Sequence, residues 1–447
     1  MTRALYSLLV WLMQPLVRRK LARRGAAEPL YLQAVEERFG HYDSAPCSAS
    51  DGLVWVHAVS LGETRTAALL IARLRQRLPG MRLLLTHGTA TGLAQGATLL
   101  QPGDIQTWQP WDTPGAVRRF LAHFKPRIGI LMETEIWPNL VAACAQRGVP
   151  LVLANARMSE KSQRQAQRLA WLSRPAFGAL AAVWAQTQAD AQRLTQLGAT
   201  VQGVFGNLKF DAAPNADQLA TGRAWRGRAG RPVVMFASSR EGEEAALLQV
   251  LRSFRPLAPV INAQGAINSV ASGIQWLIVP RHPQRFDEVA ALIGQHGFVV
   301  SRRSAWGDGP PATGEGPEAD AIWLGDSLGE MALYYGLADV ALLGGSFEPL
   351  GGQNLIEAAA CACPVVMGPH TFNFADAAEL AEAAGAALRV PSLPQAVAAA
   401  QSLANDPPAR ATMARAATGF SGDHRGALEK TASAVLALLD QQGVDAL

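Results

Sequence analysis

Only 4 of the 447 residues are cysteine, and Cys47, Cys144, Cys361 and Cys363 show no paired metal-ligand spacing. A thiolate metal site and a disulfide framework are thereby excluded, and free, buried thiols in a reducing compartment are expected. Charge is also sparse, at 17% of residues against 49% apolar, which excludes a disordered chain and leaves a globular one with a large core. Long apolar runs are missing too. The longest near the N-terminus, residues 4–17, is about 14 residues long and broken by Pro15, whereas a bilayer span needs about 20.

Basic residues are concentrated in one place. Arg3, Arg18, Arg19, Lys20, Arg23 and Arg24 carry six positive charges with no acid beside them, more than the formal net charge of +4 of the whole chain. The remainder has no basic stripe, so nucleic acid is not an expected partner. Because most of this charge follows the apolar run, the segment does not read as a signal peptide. The expectation is a helix lying in the membrane interface, with Tyr6 and Trp11 at headgroup level and the Arg/Lys cluster on anionic lipids.

From residue 53 onward, buried-strand patterns alternate with helical ones. Apolar runs stand at 53–59, 81–86, 128–132, 150–154 and 182–185, then at 232–237, 276–279, 321–324, 340–343 and 364–367. Such alternation argues for doubly wound parallel α/β sheets. The length calls for two domains, and the stretch 211–231 lacks a buried strand. The expected division is 1–30 as a membrane-anchoring helix, 31–212 as one Rossmann-like domain and 213–447 as a second. Open α/β sheets bind ligands beyond the carboxyl ends of their strands, so the site is expected in an interdomain cleft built from post-strand loops.

Those loops hold the polar residues. Ser60-Leu61-Gly62-Glu63, Ser238-Ser239-Arg240-Glu241 and Ser327-Leu328-Gly329-Glu330 each follow a strand and each have the Ser-x-x-Glu spacing of a capping box. Glu133 and Glu135 follow the 128–132 run, Asn155 and Arg157 the next, and Asn207, Lys209 and Asp211 close the first domain. A carboxylate near an acceptor hydroxyl serves as a base, and a cation balances charge on a departing phosphate. In the second half Pro280, Arg281, His282 and Arg285 follow a strand, where a guanidinium suits a phosphate. The stretch 340–369 combines two strands, the pairs Gly344-Gly345 and Gly351-Gly352, and a helix opening at Asn354-Leu355-Ile356-Glu357. Glycines permit close backbone approach and a helix start favours an anion, so this reads as a phosphate site with Glu357 near the ribose. The stretches 260–273 and 307–318 interrupt the pattern as surface loops.

In this order HAVSLGE, METEIWPNL, NARMSEKS, GNLKFD, SSREGEE, VPRHPQRF, GDSLGEM and GGSFEPLGGQNLIEAAA resemble the Kdo (3-deoxy-D-manno-octulosonic acid) transferases of lipopolysaccharide synthesis. The resemblance implies an inverting GT-B glycosyltransferase at the cytoplasmic side of the inner membrane, moving Kdo from CMP-Kdo to the lipid A precursor lipid IV-A. It implies Glu63 as the base, Glu133 and Lys209 as transition-state stabilisers, and Pro280, Arg281, Leu328, Gly329, Glu330, Asn354, Leu355, Ile356 and Glu357 as CMP-binding positions. No cofactor or metal is implied, in keeping with the lack of an Asp-x-Asp motif. Gln353 stands where many members carry histidine. A helix N-terminus lowers a carboxylate's pKa, which works against Glu63 as a base unless burial offsets it. Two other readings of the same residues are a sugar-nucleotide epimerase of this fold and a non-catalytic nucleotide-sugar binding protein.

Overall fold

The computed structural model describes residues 2–48, 52–253, 260–261, 267–268, 273–311 and 321–445. It divides into one unit formed by Met1–Asp211 with Arg425–Leu447 and a second formed by Ala212–His424. The expected assignment of 213–447 to one domain is therefore corrected at its end. The C-terminal helix Ala427–Asp445 lays Ala432, Val435 and Leu439 against Leu70, Ile71 and Leu74 of the first unit. Asp211 fixes its start by accepting the Gly426 and Leu428 N–H groups, each at 2.7 Å.

The first unit is a seven-stranded parallel sheet with β1 (Val54–His57), β2 (Leu83–His87), β3 (Ile105–Trp108), β4 (Ile128–Met132), β5 (Leu151–Ala156), β6 (Ala182–Ala185) and β7 (Val201–Val204). The spatial order is β3-β2-β1-β4-β5-β6-β7, so the winding direction reverses between β1 and β4. Strands β1, β2, β4, β5 and β6 are buried on both faces, which is why they read as continuous apolar runs. Gly129 in β4 makes room for the Trp55 indole, since a Cβ there would lie 2.6 Å from the ring. The indole Nε1 donates to Thr86 Oγ1 at 2.8 Å, so this buried tryptophan leaves no donor unpaired.

The second unit repeats the plan with β8 (Val233–Ser239), β11 (Gln275–Pro280), β12 (Val300–Arg302), β13 (Ile322–Leu324), β14 (Val340–Leu343), β15 (Val365–Met367) and β16 (Ala387–Arg389). Between β8 and β11 the two-residue strands β9 (Val260–Ile261) and β10 (Ile267–Asn268) pair antiparallel. The rest of 260–272, and 312–318 of the second expected loop, lie outside the described residues. The order is β12-β13-β11-β8-β14-β15-β16, with the reversal between β8 and β14.

The N-terminus forms helices Thr2–Leu12 and Gln14–Ala27, with Pro15 in the first turn of the second, where its missing N–H costs nothing. Among the described residues no helix is long and apolar enough to cross a membrane. Tyr6 corrects the expectation made for it. Its hydroxyl turns inward and donates to Asp112 Oδ2 at 2.9 Å, while Ser7 Oγ donates to Asn139 Oδ1 at 2.9 Å. Docked on this polar side, the helix leaves Leu5, Leu8, Leu9, Trp11 and Leu12 more than half exposed.

Candidate active site

In the first unit the candidate residues gather where the winding reverses. Glu63 follows β1 in the first turn of helix Leu61–Arg77, and Glu133 and Glu135 follow the neighbouring β4. Diverging connections at such a point leave the carboxyl ends of the two central strands uncovered by a crossover helix, where ligands bind. Ser60 is the N-cap of the Glu63 helix, its Oγ accepting the Glu63 N–H and donating to Glu63 Oε1 at 3.1 Å. The other carboxylate oxygen accepts the Val59 N–H at 2.8 Å, one residue before the Ser60 N–H that a standard capping box would use.

Two influences therefore compete at Glu63. Burial pushes its carboxyl up to about 7, with the charges of Glu133 and Glu135 acting in the same direction, while the Val59 and Ser60 hydrogen bonds pull down. Desolvation outweighs those hydrogen bonds. The group is left near neutrality, where a general base has both the right protonation state and useful basicity.

Glu133 is held at φ +61°, a left-handed conformation uncommon outside glycine. Its N–H donates to Ala154 O and its carbonyl accepts the Arg157 N–H, so the loops after β4 and β5 hold each other. Its side chain takes Lys209 Nζ at 3.3 Å. Lys209 lies in the short 3-10 turn Leu208–Asp211, which Asn155 secures by accepting the Leu208 N–H at 3.0 Å. The acid, amide and base of the sequence thus meet, within one unit, beyond β1, β4, β5 and β7. Asp112, unremarked in the sequence, is buried below the loop that follows β4. It accepts the N–H groups of Asn139 and Leu140 and the Tyr6 hydroxyl, and burial pushes its carboxyl up to about 6. His57 of HAVSLGE points into the core with Nδ1 on Thr86, and burial drives its pKa down to about 3. It serves as a core histidine.

In the second unit, Gly344 follows β14 with its backbone against β8, and a Cβ there would meet Ser238 O at 2.3 Å. Gly345, Gly351 and Gly352 all have positive φ, and the Gly352 N–H donates to Gly345 O at 2.7 Å, folding the loop back on itself. Gln353 packs over Gly345. Asn354 caps the following helix by accepting the Ile356 N–H at 3.2 Å. Leu355 and Ile356 are buried in the core, so only their backbone is available to a ligand, and Glu357 is half-buried. Pro280 ends β11, and the Arg281 N–H donates to Ser239 O at 3.0 Å while its side chain is exposed.

Three expectations for this unit are corrected. Glu241 is exposed and pairs with Arg240; helix Glu243–Ser253 starts two residues later, so the Ser238–Glu241 capping box does not form. Ser327 does not cap its helix either: its Oγ donates to Glu330, which also holds Arg303 at 3.0 Å, while Leu328 is exposed and Gly329 turns with φ +78°. Arg285 is not available to a phosphate, because it is spent on Glu244, at 2.8 and 3.2 Å, and on Glu288. Among the described residues no three His, Cys, Asp or Glu side chains converge as a metal site.

Two doubly wound parallel-sheet units define the GT-B-like class of folds. The UDP-GlcNAc 2-epimerase of Neisseria meningitidis has a like architecture, at a TM-score of 0.54 and 14% identity over 87% of this chain and all of that one, a likeness of fold alone. The sequence decides among members of the class. Residues 33–212 match the family model of 3-deoxy-D-manno-octulosonic-acid transferase. Over 97% of its length the chain is 46% identical to the 3-deoxy-D-manno-octulosonic acid transferase of Bordetella pertussis, covering 99% of that protein. The enzyme of the same name from Haemophilus influenzae is 31% identical over 96% of this chain and 97% of its own. The chain belongs to the Kdo transferase family and is a glycosyltransferase.

Proposed function

We propose that this transferase moves Kdo from CMP-Kdo to lipid IV-A at the cytoplasmic side of the inner membrane, with inversion. Glu63 takes the proton of the acceptor hydroxyl as that oxygen attacks the anomeric carbon of Kdo. The bond from that carbon to the phosphate oxygen breaks, and CMP leaves. The observation that carries this reading is the Glu63 carboxyl, raised to about 7 by burial beside Glu133 and Glu135 at the strand ends of the first unit. Glu133 and Lys209, 3.3 Å apart, stabilise charge in the transition state.

The donor side belongs to the second unit. Arg281 and the backbone of Asn354 and Leu355 receive the phosphate, Ile356 lies beside them at the nucleotide, and the Gly345 to Gly352 turn, whose Gly345 and Gly352 N–H groups are engaged within the protein, leaves room for it. Pro280, Leu328, Gly329, Glu330 and Glu357 complete the nucleotide contacts. A nucleoside monophosphate leaving group carries less charge than a diphosphate, so protein groups suffice and no metal is required. The exposed leucines of the first helix and the arginines behind them support docking on anionic lipid, where the acceptor resides.

The test is Glu63→Gln in the full chain with CMP-Kdo and lipid IV-A, the product read by mass spectrometry. Loss of transfer with CMP binding retained is expected. Substantial residual transfer overturns the base assignment.

A further inference from the structure

Two adjacent carboxylates in the second unit, Glu243 and Glu244, are almost wholly buried at the first turn of helix Glu243–Ser253. Glu243 Oε2 accepts the Arg240 N–H at 2.9 Å and the Gly345 N–H at 2.7 Å, and its Oε1 accepts the Phe347 N–H at 3.3 Å. One side chain thus satisfies three backbone donors from two loops, the one after β8 and the glycine loop after β14. These are the two strands between which the winding reverses. Glu244 ties in a third loop, accepting Ser239 Oγ at 2.8 Å and both Arg285 terminal nitrogens from the turn after β11.

The loop conformations depend on these bonds. Ser238 sits at φ +55° and Gly345 at φ +68°, and the Gly345 N–H is turned down onto Glu243 instead of out to a ligand. With Gly344 pressed against Ser238 O, the glycine loop has little freedom to find another seat. Buried backbone donors without partners are costly, so removing the carboxylate releases the loop and leaves the β8 end unpaired.

We propose that Glu243 is a positioning residue for the donor nucleotide, locking the loops after β8 and β14 in the shape that receives the phosphate. The inference rests on the donor reading given above. With both carboxylate oxygens engaged by backbone and the side chain buried, Glu243 acts through the Gly345 to Gly352 turn and Arg240.

Glu243→Gln is nearly isosteric, and whichever way its amide turns, at least one backbone N–H faces an NH2 group. In the full chain, amide hydrogen exchange reads the loop and CMP titration reads the site. Expected are faster exchange at Gly345 and Phe347, a CMP dissociation constant raised about tenfold or more, an unchanged KM for lipid IV-A, and an unchanged exchange pattern across β1–β7. Glu243→Asp, one methylene short, shows the same pattern and serves as the second variant. A purely structural role lowers the melting temperature and leaves the CMP affinity of the folded protein unchanged. CMP affinity at the parental value in the Gln variant, or unchanged exchange at Gly345, overturns the inference alone. Failure of the parent chain to bind CMP overturns the donor reading and the inference with it.

Discussion

Lys209 Nζ stands 3.3 Å from a carboxylate oxygen of Glu133, joining the turn after β7 to the loop after β4 within the first unit. Both side chains are partly exposed, at 26% and 17%, so the pair adds at most about 1 kcal/mol to stability. If its purpose is catalytic, activity and stability separate. Lys209→Ala is expected to lower kcat about a hundredfold or more while the melting temperature moves by a few degrees at most. Steady-state kinetics alongside thermal unfolding check this, and a variant that loses both in proportion marks the pair as structural.

The Glu63 carboxyl gives a pH prediction. Raised to about 7 from 4.5, it is protonated below neutrality and then unable to act as the proposed base. The kcat/KM of the parent enzyme is expected to rise through about pH 7 and level off above it. The stability sign is opposite. Between pH 4.5 and 7 the folded state binds more protons than the unfolded one, so Glu63 costs stability progressively as pH rises across that window. Glu63→Gln keeps an acceptor for the Val59 N–H and is expected to be inactive yet more stable than the parent at pH 8, an advantage that shrinks towards pH 5. A Gln variant less stable than the parent at pH 8 contradicts this.

The centre of each sheet was legible in the sequence because those strands are buried on both faces and read as apolar runs. Strands β3, β7, β12 and β16, each at a sheet edge, were not, because exposed or half-buried residues such as Gln106, Gln202 and Ser301 break the pattern. Glu63, Glu133 and Lys209 were legible as polar residues just past strands, and the structure brings Glu133 and Lys209 into contact. Glu243 was missed for a local reason. The Ser-x-x-Glu spacing points to Glu241, but Gly242, at φ +90°, delays the helix so that the next two acids face inward. Nor does a sequence say which unit a terminal helix covers.

That helix yields its own test. Asp211, in the turn after β7, holds the start of that helix by accepting from Gly426 and Leu428. Asp211→Ala removes a cap of about 1 kcal/mol and frees two backbone donors. Hydrogen exchange is expected to quicken over the first turn of 427–445 while β8 and β14 keep their protection. Equal loss in both units argues against the helix belonging to the first.

The proposed membrane docking depends on Leu8 and Leu12, 53% and 56% exposed, and not on Tyr6, which is engaged with Asp112. Exposed substitutions of this kind change stability by about 0.5 kcal/mol or less. Leu8→Glu with Leu12→Glu is expected to abolish flotation with vesicles containing anionic lipid, leaving the melting temperature within a few degrees of the parent. Tyr6→Phe is expected to float normally but to melt lower, since Asp112 loses its hydroxyl partner. Normal flotation of the double glutamate variant removes the first helix from membrane binding.

Gly344 offers the most local test of the second unit. A Cβ at this position meets Ser238 O at 2.3 Å and Ala237 O at 2.7 Å, both of them backbone atoms of β8 that cannot rotate away. Gly344→Ala must therefore push β14 and the glycine loop off the end of β8, stretching the Gly345 to Glu243 bond of 2.7 Å. Overpacking against backbone costs about 1–3 kcal/mol. A lower melting temperature and a CMP affinity reduced at least as far as in Glu243→Gln are expected, because both changes displace the same loop by different means. Gly242, where a Cβ meets nothing within 4 Å but φ is +90°, separates strain from crowding. Gly242→Ala is expected to lose about 1 kcal/mol and to keep most of its CMP affinity. Should Gly344→Ala bind CMP as the parent does, the fit of β14 against β8 has no part in forming the donor site.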